Sequence, residues 1–168
     1  MERLGADLAV ARLRRQREMG ELFRCMVFNI FIDNIDDHEK NHVLLSADPW
    51  PFGRLRLAPA YDVLPTNSGP GNQEFAVGLD GRDSALSNAM SDCEQFALQR
   101  DEAAAEIRKV TAVVGRCKRH FRAYGVATAD IDDLAQRIDG DGLKLQRQEF
   151  GAATFAAAPR KRHRNPFT

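Results

Sequence analysis

An apolar stripe at helical spacing, which a polar segment cuts off abruptly, is the feature that most constrains how this chain folds. The stripe lies in the first 33 residues and consists of Met19, Leu22, Phe23, Met26, Val27, Ile30 and Phe31. Steps of three and four place these side chains on one face of a helix, which predicts a helix packed along the core. Gly20 weakens helical structure, so we expect it to separate this helix from an earlier one around residues 7–17.

The polar segment covers residues 33–42 and reads DNIDDHEKNH. Asp and Asn favour turns over helices because their short side chains bond the nearby backbone, so we expect a loop at one edge of the core. Residues 43–45 and 54–57 then predict a small hairpin. Residues 58–65 predict a second loop, which Pro59 and Pro65 make irregular. A hairpin between the loops lets both project from the same edge.

The rest of the chain is predicted to be helical apart from a short strand at residues 74–79, which precedes an Asp-Gly turn signal. One helix carries a stripe that ends before Gly125, and its members are Ile107, Val110, Val114, Cys117, Phe121 and Tyr124. A further helix around residues 131–138 ends at Gly140. The predicted fold is mainly α, with α+β character: a helical bundle with one small hairpin.

Composition excludes several classes of protein. Basic and acidic residues balance at 24 each, so no overall field directs the chain to nucleic acid or membrane. A basic run at residues 160–164 is interpreted as a solvated tail, with a DNA contact as the alternative. The cysteines Cys25, Cys93 and Cys117 are widely spaced; Cys25 and Cys117 fall among apolar residues, and we expect these two to be small core residues in a reducing compartment. Neither a membrane span nor a signal peptide is predicted, so we expect a soluble, cytoplasmic protein.

Three polar residues stand out as candidates for chemistry: Asp36, Asn41 and Asp62. Phosphoryl transfer from ATP needs a carboxylate that orients the attacking hydroxyl, an Asn five residues later, and a second Asp on the next loop. Carboxylate and amide oxygens suit Mg²⁺. The five-residue spacing of Asp36 and Asn41 fits this scheme, although such spacing by itself is common.

The residues around these positions closely resemble the HipA-like serine/threonine protein kinases. The two matching stretches are NIDDHEKN at residues 34–41 and LAPAYDVL at residues 57–64, and the helix at 23–32 and the GLDGR stretch at 78–82 are also similar. The likeness covers roughly residues 20–140 and corresponds to the C-terminal kinase lobe of that family. It implies a lead-in at residues 1–20, the lobe at 20–150 and an Ala-rich, then basic, tail at 151–168.

The resemblance implies a role for each matching residue. Asp36 would be the catalytic base, and Asn41 and Asp62 would hold Mg²⁺ beside ATP. Asn34, His38 and Lys40 match family positions on the cofactor side, as loop-shaping residues or phosphate neighbours, with a simple turn-forming role as the alternative for Asn34. Asp37 and Glu39 are expected to be solvated because adjacent carboxylates repel, and Tyr61 is expected to pack and fix its loop.

The implied reaction is transfer of the ATP γ-phosphoryl group to a Ser or Thr hydroxyl of a protein substrate, as in the toxin of a toxin–antitoxin system. Partners implied are an antitoxin-like helix-turn-helix protein, through which DNA would be reached only indirectly, and a separate chain with the ATP-covering N-lobe. No glycine-rich loop precedes Asp36, so we expect negligible kinase activity from this chain alone. A non-catalytic remnant or a binding module is the alternative.

A literal rival is the HExxH pattern formed by residues 38–42, which is typical of zinc metalloproteases. That chemistry requires His38 and His42 on one helical face, one turn apart. The turn-forming residues before His38 and Pro49 soon after His42 disfavour such a helix.

Overall fold

A computed structural model describes residues 2–46, 55–66 and 71–152, with side chains described between residues 15 and 150 of these ranges. The chain is mainly helical with one small antiparallel sheet, as the sequence predicts. The elements are α1 (Glu2–Ile32), β1 (Leu44–Ser46), β2 (Leu55–Leu57), α2 (Leu86–Ser91), α3 (Arg100–Val114), α4 (Cys117–Ala123), α5 (Thr128–Ile138) and α6 (Asp141–Ala152). Short 3-10 turns cover Glu39–Asn41 and Cys93–Phe96.

Helix α1 forms one side of the core and runs unbroken through Gly20, so the predicted separation at that glycine is wrong. Gly20 is buried, and a Cβ placed there would lie 3.9 Å from Leu98 Cδ2, which is an ordinary contact. The predicted stripe supplies the fully buried side chains Phe23, Val27, Ile30 and Phe31. Packing of this stripe outweighs the roughly 1 kcal/mol that a helical glycine costs.

Helix α3 lies against α1 and closes the core. Its buried face consists of Ala103, Ala104, Ile107, Val110 and Val114. Phe23 of α1 meets Phe96 of the second 3-10 turn edge to face, with ring centroids 5.4 Å apart. Small residues on α3 let the two helices approach closely, which makes α1 a rigid support for whatever follows its C-terminal end.

The long helix predicted from residue 107 to residue 124 is two helices, because α3 ends at Val114 and α4 begins at Cys117. The Gly115 N–H bonds Thr111 O at 2.9 Å, and the Arg116 N–H bonds Val113 O at 3.0 Å, which tightens and closes the last turn. Cys117 and Phe121 still pack on the core, so the apolar stripe continues although the helix does not. The predicted stop at Gly125 is confirmed: its φ is 77°, and the Val126 N–H bonds Phe121 O.

Residues 74–79 do not form the predicted strand; residues 72–83 have only isolated bridges between Asn72 and Asp83 and between Gly78 and Gly81. The predicted turn at Asp80-Gly81 is present, and Gly81 has a φ of 65°. Asn88 of α2 holds this turn: its Nδ2 donates to Gly81 O at 3.1 Å, and its Oδ1 accepts from the Asp80 N–H at 2.9 Å. Because side-chain bonds replace a partner strand, the segment needs no sheet.

The final helices pack across the end of α1. Helix α5 matches the prediction for residues 131–138, whereas α6, which the sequence analysis did not assign, follows directly after Gly140. Arg147 of α6 is buried, donates to Ile138 O at 2.9 Å and pairs with Asp139 at 2.8 Å. The basic run at residues 160–164 lies outside the described residues.

Strands β1 and β2 form the predicted hairpin, with Leu44 opposite Leu57 and Ser46 opposite Leu55. The Leu57 N–H donates to Glu18 Oε2 of α1 at 2.6 Å, which anchors the open edge of β2 to the long helix. Among the described helices, none has the length and hydropathy that a transmembrane segment requires.

Candidate active site

The first loop begins where α1 ends at a residue with left-handed backbone. Asp33 has a φ of 58°, a conformation that Asp tolerates better than most residues. The next residue, Asn34, is buried, and its Nδ2 donates to Asn29 Oδ1 at 3.2 Å while its backbone N–H bonds Asn29 O at 2.9 Å. These contacts turn the chain sharply off the helix and fix the direction in which the loop leaves.

Inside the first loop, Asn41 is buried and bonds back to the start of the motif. Its Nδ2 donates to Asp36 O at 3.3 Å, and its backbone N–H donates to His38 O at 2.9 Å. With the amide nitrogen engaged in this way, the Asn41 Oδ1 is the side-chain atom that could bind a cation. The carboxylate of Asp36 is exposed.

The second loop, residues 58–66, is joined to the first loop at two points. The Tyr61 hydroxyl donates to Lys40 O, and Thr66 donates to Asp33 O through both its N–H, at 2.9 Å, and its Oγ1, at 2.6 Å. The hairpin starts the loops side by side, since the Ala58 N–H bonds Val43 O at 2.7 Å. The two loops therefore lie together at the end of α1 that the sequence predicts.

Asp62 follows Tyr61 directly and therefore lies beside one of these joints. Its side chain is exposed, and its φ is 54°. A non-glycine residue in the left-handed region costs about 1 kcal/mol or more and persists only where its neighbours enforce it. Asp33 and Ala97 share this conformation, so the backbone alone does not single out Asp62; its exposed carboxylate beside the joint makes it a candidate.

The three residues predicted on the cofactor side have different surroundings. Asn34 is internal and bonded to Asn29, as described above, whereas Lys40 is exposed at the joint with Tyr61. His38 is half-buried, and its Nδ1 is buried without a hydrogen-bond partner among the described residues. Buried polar atoms are rarely left without a hydrogen-bond partner, so His38 Nδ1 is an atom with which a bound group could form a hydrogen bond.

A cavity of about 300 Å³ opens beside the first loop, between that loop, the second loop and helices α1 and α3. Its lining includes Asp37, Asn41, His42, Tyr61 and Cys25. Burial, together with the charges of Glu21 and Asp37, raises the pKa of the Cys25 thiol to about 11. Cys25 therefore stays protonated at neutral pH and is a packing residue of the cavity wall rather than a nucleophile.

Charged side chains on α1 and α3, among them Glu21, Arg24 and Lys109, also line this cavity. Arg24 pairs with Glu106 at 3.0 Å and with Glu21, and Lys109 pairs with Glu106 at 2.7 Å. The two cations lower the pKa of the Glu106 carboxyl, against the opposing effect of its partial burial. The Arg24–Glu106 pair joins α1 to α3, whereas the other two pairs lie within one helix each.

The zinc-protease geometry is absent from this segment. His38 and His42 have extended backbones, with only the short 3-10 turn Glu39–Asn41 between them, and the His42 imidazole is engaged with Asp37. The ligand pair of a helical HExxH site needs one continuous turn of α-helix. Within the residues described, no cluster of three or more His, Cys, Asp or Glu side chains could hold a metal.

Some residues that build the site were not singled out by their sequence pattern. Asp37 is buried and bonded to His42, although the sequence predicts a solvated side chain; Glu39 is exposed, as predicted. Thr66 carries one of the two joints from a position 33 residues beyond its acceptor. No local sequence pattern reveals a contact over such a distance. The five-residue spacing of Asp37 and His42 offered a weak signal that their side chains could meet.

Comparison with family models matches residues 4–120 to the family described as HipA-like C-terminal domain. The matched part includes nearly all of α1, both loops, the hairpin, α2, α3 and the first residues of α4. A comparison with curated proteins and another with solved structures each found no match.

Proposed function

The chain belongs to the family of HipA-like C-terminal domains, and from this premise we propose that it carries the catalytic and metal-binding loops of a serine/threonine protein kinase. In the proposed reaction, the γ-phosphoryl group of ATP passes to a hydroxyl of a protein substrate. The observation that carries the proposal is the pair of joints, Tyr61 to Lys40 and Thr66 to Asp33, that hold the second loop against the first.

Asp36 is proposed to orient the substrate hydroxyl and to accept its proton. Its backbone carbonyl is engaged by Asn41, so the loop around it is fixed while the exposed carboxylate remains available to a substrate. A positioned carboxylate of this kind is the main demand that phosphoryl transfer makes on protein side chains, because the rest is orientation and charge stabilisation.

Asn41 and Asp62 are proposed to bind Mg²⁺. The donor set fits the ion: the Asn41 Nδ2 is engaged by Asp36 O, which leaves Oδ1 as the possible ligand atom, and Asp62 offers an exposed carboxylate. Magnesium prefers such hard oxygen ligands and completes its shell with water and phosphate oxygens. When bound, the ion would neutralise charge on the phosphates of ATP.

An exposed apolar face on the hairpin supports the presence of a covering lobe. Leu44 and Leu55 point to the same side of the sheet and are 57% and 51% exposed. Apolar patches of this kind commonly mark an interface. We propose that the nucleotide-covering lobe, from this or another polypeptide, packs on this side.

Metal binding is the most direct test, since it reports on the side chains assigned here. Titration of the purified chain with Mn²⁺ in the presence of ADP, followed by electron paramagnetic resonance, should show a site that Asp62→Ala and Asn41→Ala each weaken at least tenfold. Mn²⁺ accepts the same oxygen ligands as Mg²⁺ and is directly visible.

Glu39→Gln provides the matched control, because Glu39 is an exposed acidic residue of the same loop with no assigned role. It should bind Mn²⁺ as tightly as the unaltered chain. Equal affinities of the Asp62→Ala and unaltered proteins would refute the assignment.

A further inference from the structure

Asp37 and His42 form a shielded pair that the proposed chemistry does not use. Asp37 Oδ1 and His42 Nε2 lie 2.8 Å apart, and the two side chains are only 8% and 18% exposed. A carboxylate oxygen can only accept, so the imidazole N–H donates. Hydrogen bonds to a charged acceptor that is partly removed from water are among the stronger ones in proteins.

Each member of the pair is the chain neighbour of one proposed site residue. Asp37 directly follows Asp36, and His42 directly follows Asn41. The bond between them runs beside the bond from Asn41 Nδ2 to Asp36 O, and each closes a span of five residues. Two hydrogen bonds across the same stretch of chain fix the distance between Asp36 and Asn41 more firmly than one would.

His42 is also supported from outside the loop. Its ring lies 5.6 Å from the ring of Phe75, in the segment that Asn88 holds. Asp37, His42 and Cys25 of α1 all line the same cavity. The pair is therefore held between the long helix and the segment after the second loop, which limits the directions in which either side chain can move.

We propose that Asp37 and His42 are a positioning pair, which holds residues 36–41 so that the Asp36 carboxylate and the Asn41 Oδ1 face one metal–nucleotide site. This inference rests on the proposed function. A pair that served stability alone would change the free energy of unfolding but would not change metal affinity among molecules that remain folded.

Substitutions at both positions test the pair. His42→Leu and Asp37→Ala remove the bond, whereas His42→Gln keeps an N–H donor near the position of Nε2. We expect the first two variants to bind Mn²⁺–ADP roughly tenfold or more weakly, as is usual when support for a ligand is lost, and His42→Gln to recover most of that loss.

Amide hydrogen exchange of residues 36–42 supplies a readout without metal. Exchange should accelerate in His42→Leu and Asp37→Ala, while helix α3 exchanges as before. Phe96→Leu is the control for general destabilisation: it removes the edge-to-face contact with Phe23 in the core and should leave Mn²⁺ affinity unchanged.

The results separate the two ideas. Absence of any Mn²⁺ site in the unaltered chain would contradict the proposed function. Unaltered exchange of residues 38–41 in His42→Leu, or an equal loss of affinity in His42→Leu and His42→Gln, would overturn the positioning pair.

Discussion

At the scale of single residues, the side chain and the backbone of Asp62 can be tested separately, the first for metal binding and the second for stability. Its φ of 54° is one that glycine adopts without cost and other residues adopt reluctantly. The residue is retained in this conformation beside the joint that Tyr61 makes with the first loop. A left-handed backbone at an exposed carboxylate is expected where that carboxylate binds a ligand or a metal ion.

Two substitutions at Asp62 should therefore differ in stability but not in binding. Asp62→Gly and Asp62→Ala both remove the carboxylate, so both should lose Mn²⁺ affinity. The glycine variant should be more stable than the alanine variant by about 1 kcal/mol, because only alanine keeps the left-handed strain. Urea denaturation monitored by circular dichroism measures the difference, and equal midpoints would show that the position is unstrained.

At the scale of elements, the glycines at positions 20 and 78 have opposite surroundings. A Cβ at Gly20 would make an ordinary contact at 3.9 Å with Leu98 Cδ2, within a continuous helix. A Cβ at Gly78 would lie 2.0 Å from Asn88 O, where the turn presses on α2. The same substitution should therefore stabilise one element and disrupt the other.

Gly20→Ala should raise the free energy of unfolding by about 0.5–1 kcal/mol, since alanine favours helix and fits the available space. Gly78→Ala should lower it by about 3 kcal/mol, because backbone atoms must move to admit the methyl group. Thermal unfolding of both variants gives the comparison. A destabilised Gly20→Ala protein would contradict the packing described for α1.

Sequence patterns predict those elements whose cause is local. The stripe from Met19 to Phe31 predicts α1, and the turn-forming residues after it predict the first loop, because spacing and turn chemistry act over a few residues. The division between α3 and α4 was not predicted, since the apolar stripe continues across Gly115. The joint at Thr66 and the burial of Asp37 were not foreseen either, because they depend on partners that only the folded chain brings near.

At the scale of the whole molecule, the hairpin face that is proposed to meet the covering lobe should, when no such lobe covers it, be the surface through which copies of the chain associate. Leu44 and Leu55 present apolar surface on an element that is only two strands wide. A sheet of two strands can bury little apolar area on its own, and apolar side chains left exposed on one of its faces favour contact with another surface.

Replacing both leucines with lysine should lower self-association while changing the free energy of unfolding by less than about 0.5 kcal/mol, as is usual for exposed positions. Sedimentation velocity over a range of concentrations measures the association. Leu79→Lys is the control, because Leu79 is 74% exposed but lies on the turn at residues 78–81. A similar decrease with Leu79→Lys would mean that the hairpin is not the surface responsible.

The joints between the loops also determine where the chain tolerates sequence drift. Tyr61 and Thr66 meet main-chain carbonyl groups at Lys40 and Asp33, and every residue type carries such a group. As far as the joint is concerned, position 40 is free to vary, whereas Phe in place of Tyr61 would remove the hydroxyl on which the contact depends. Selection on this joint would therefore act on Tyr61 and not on the side chain at position 40.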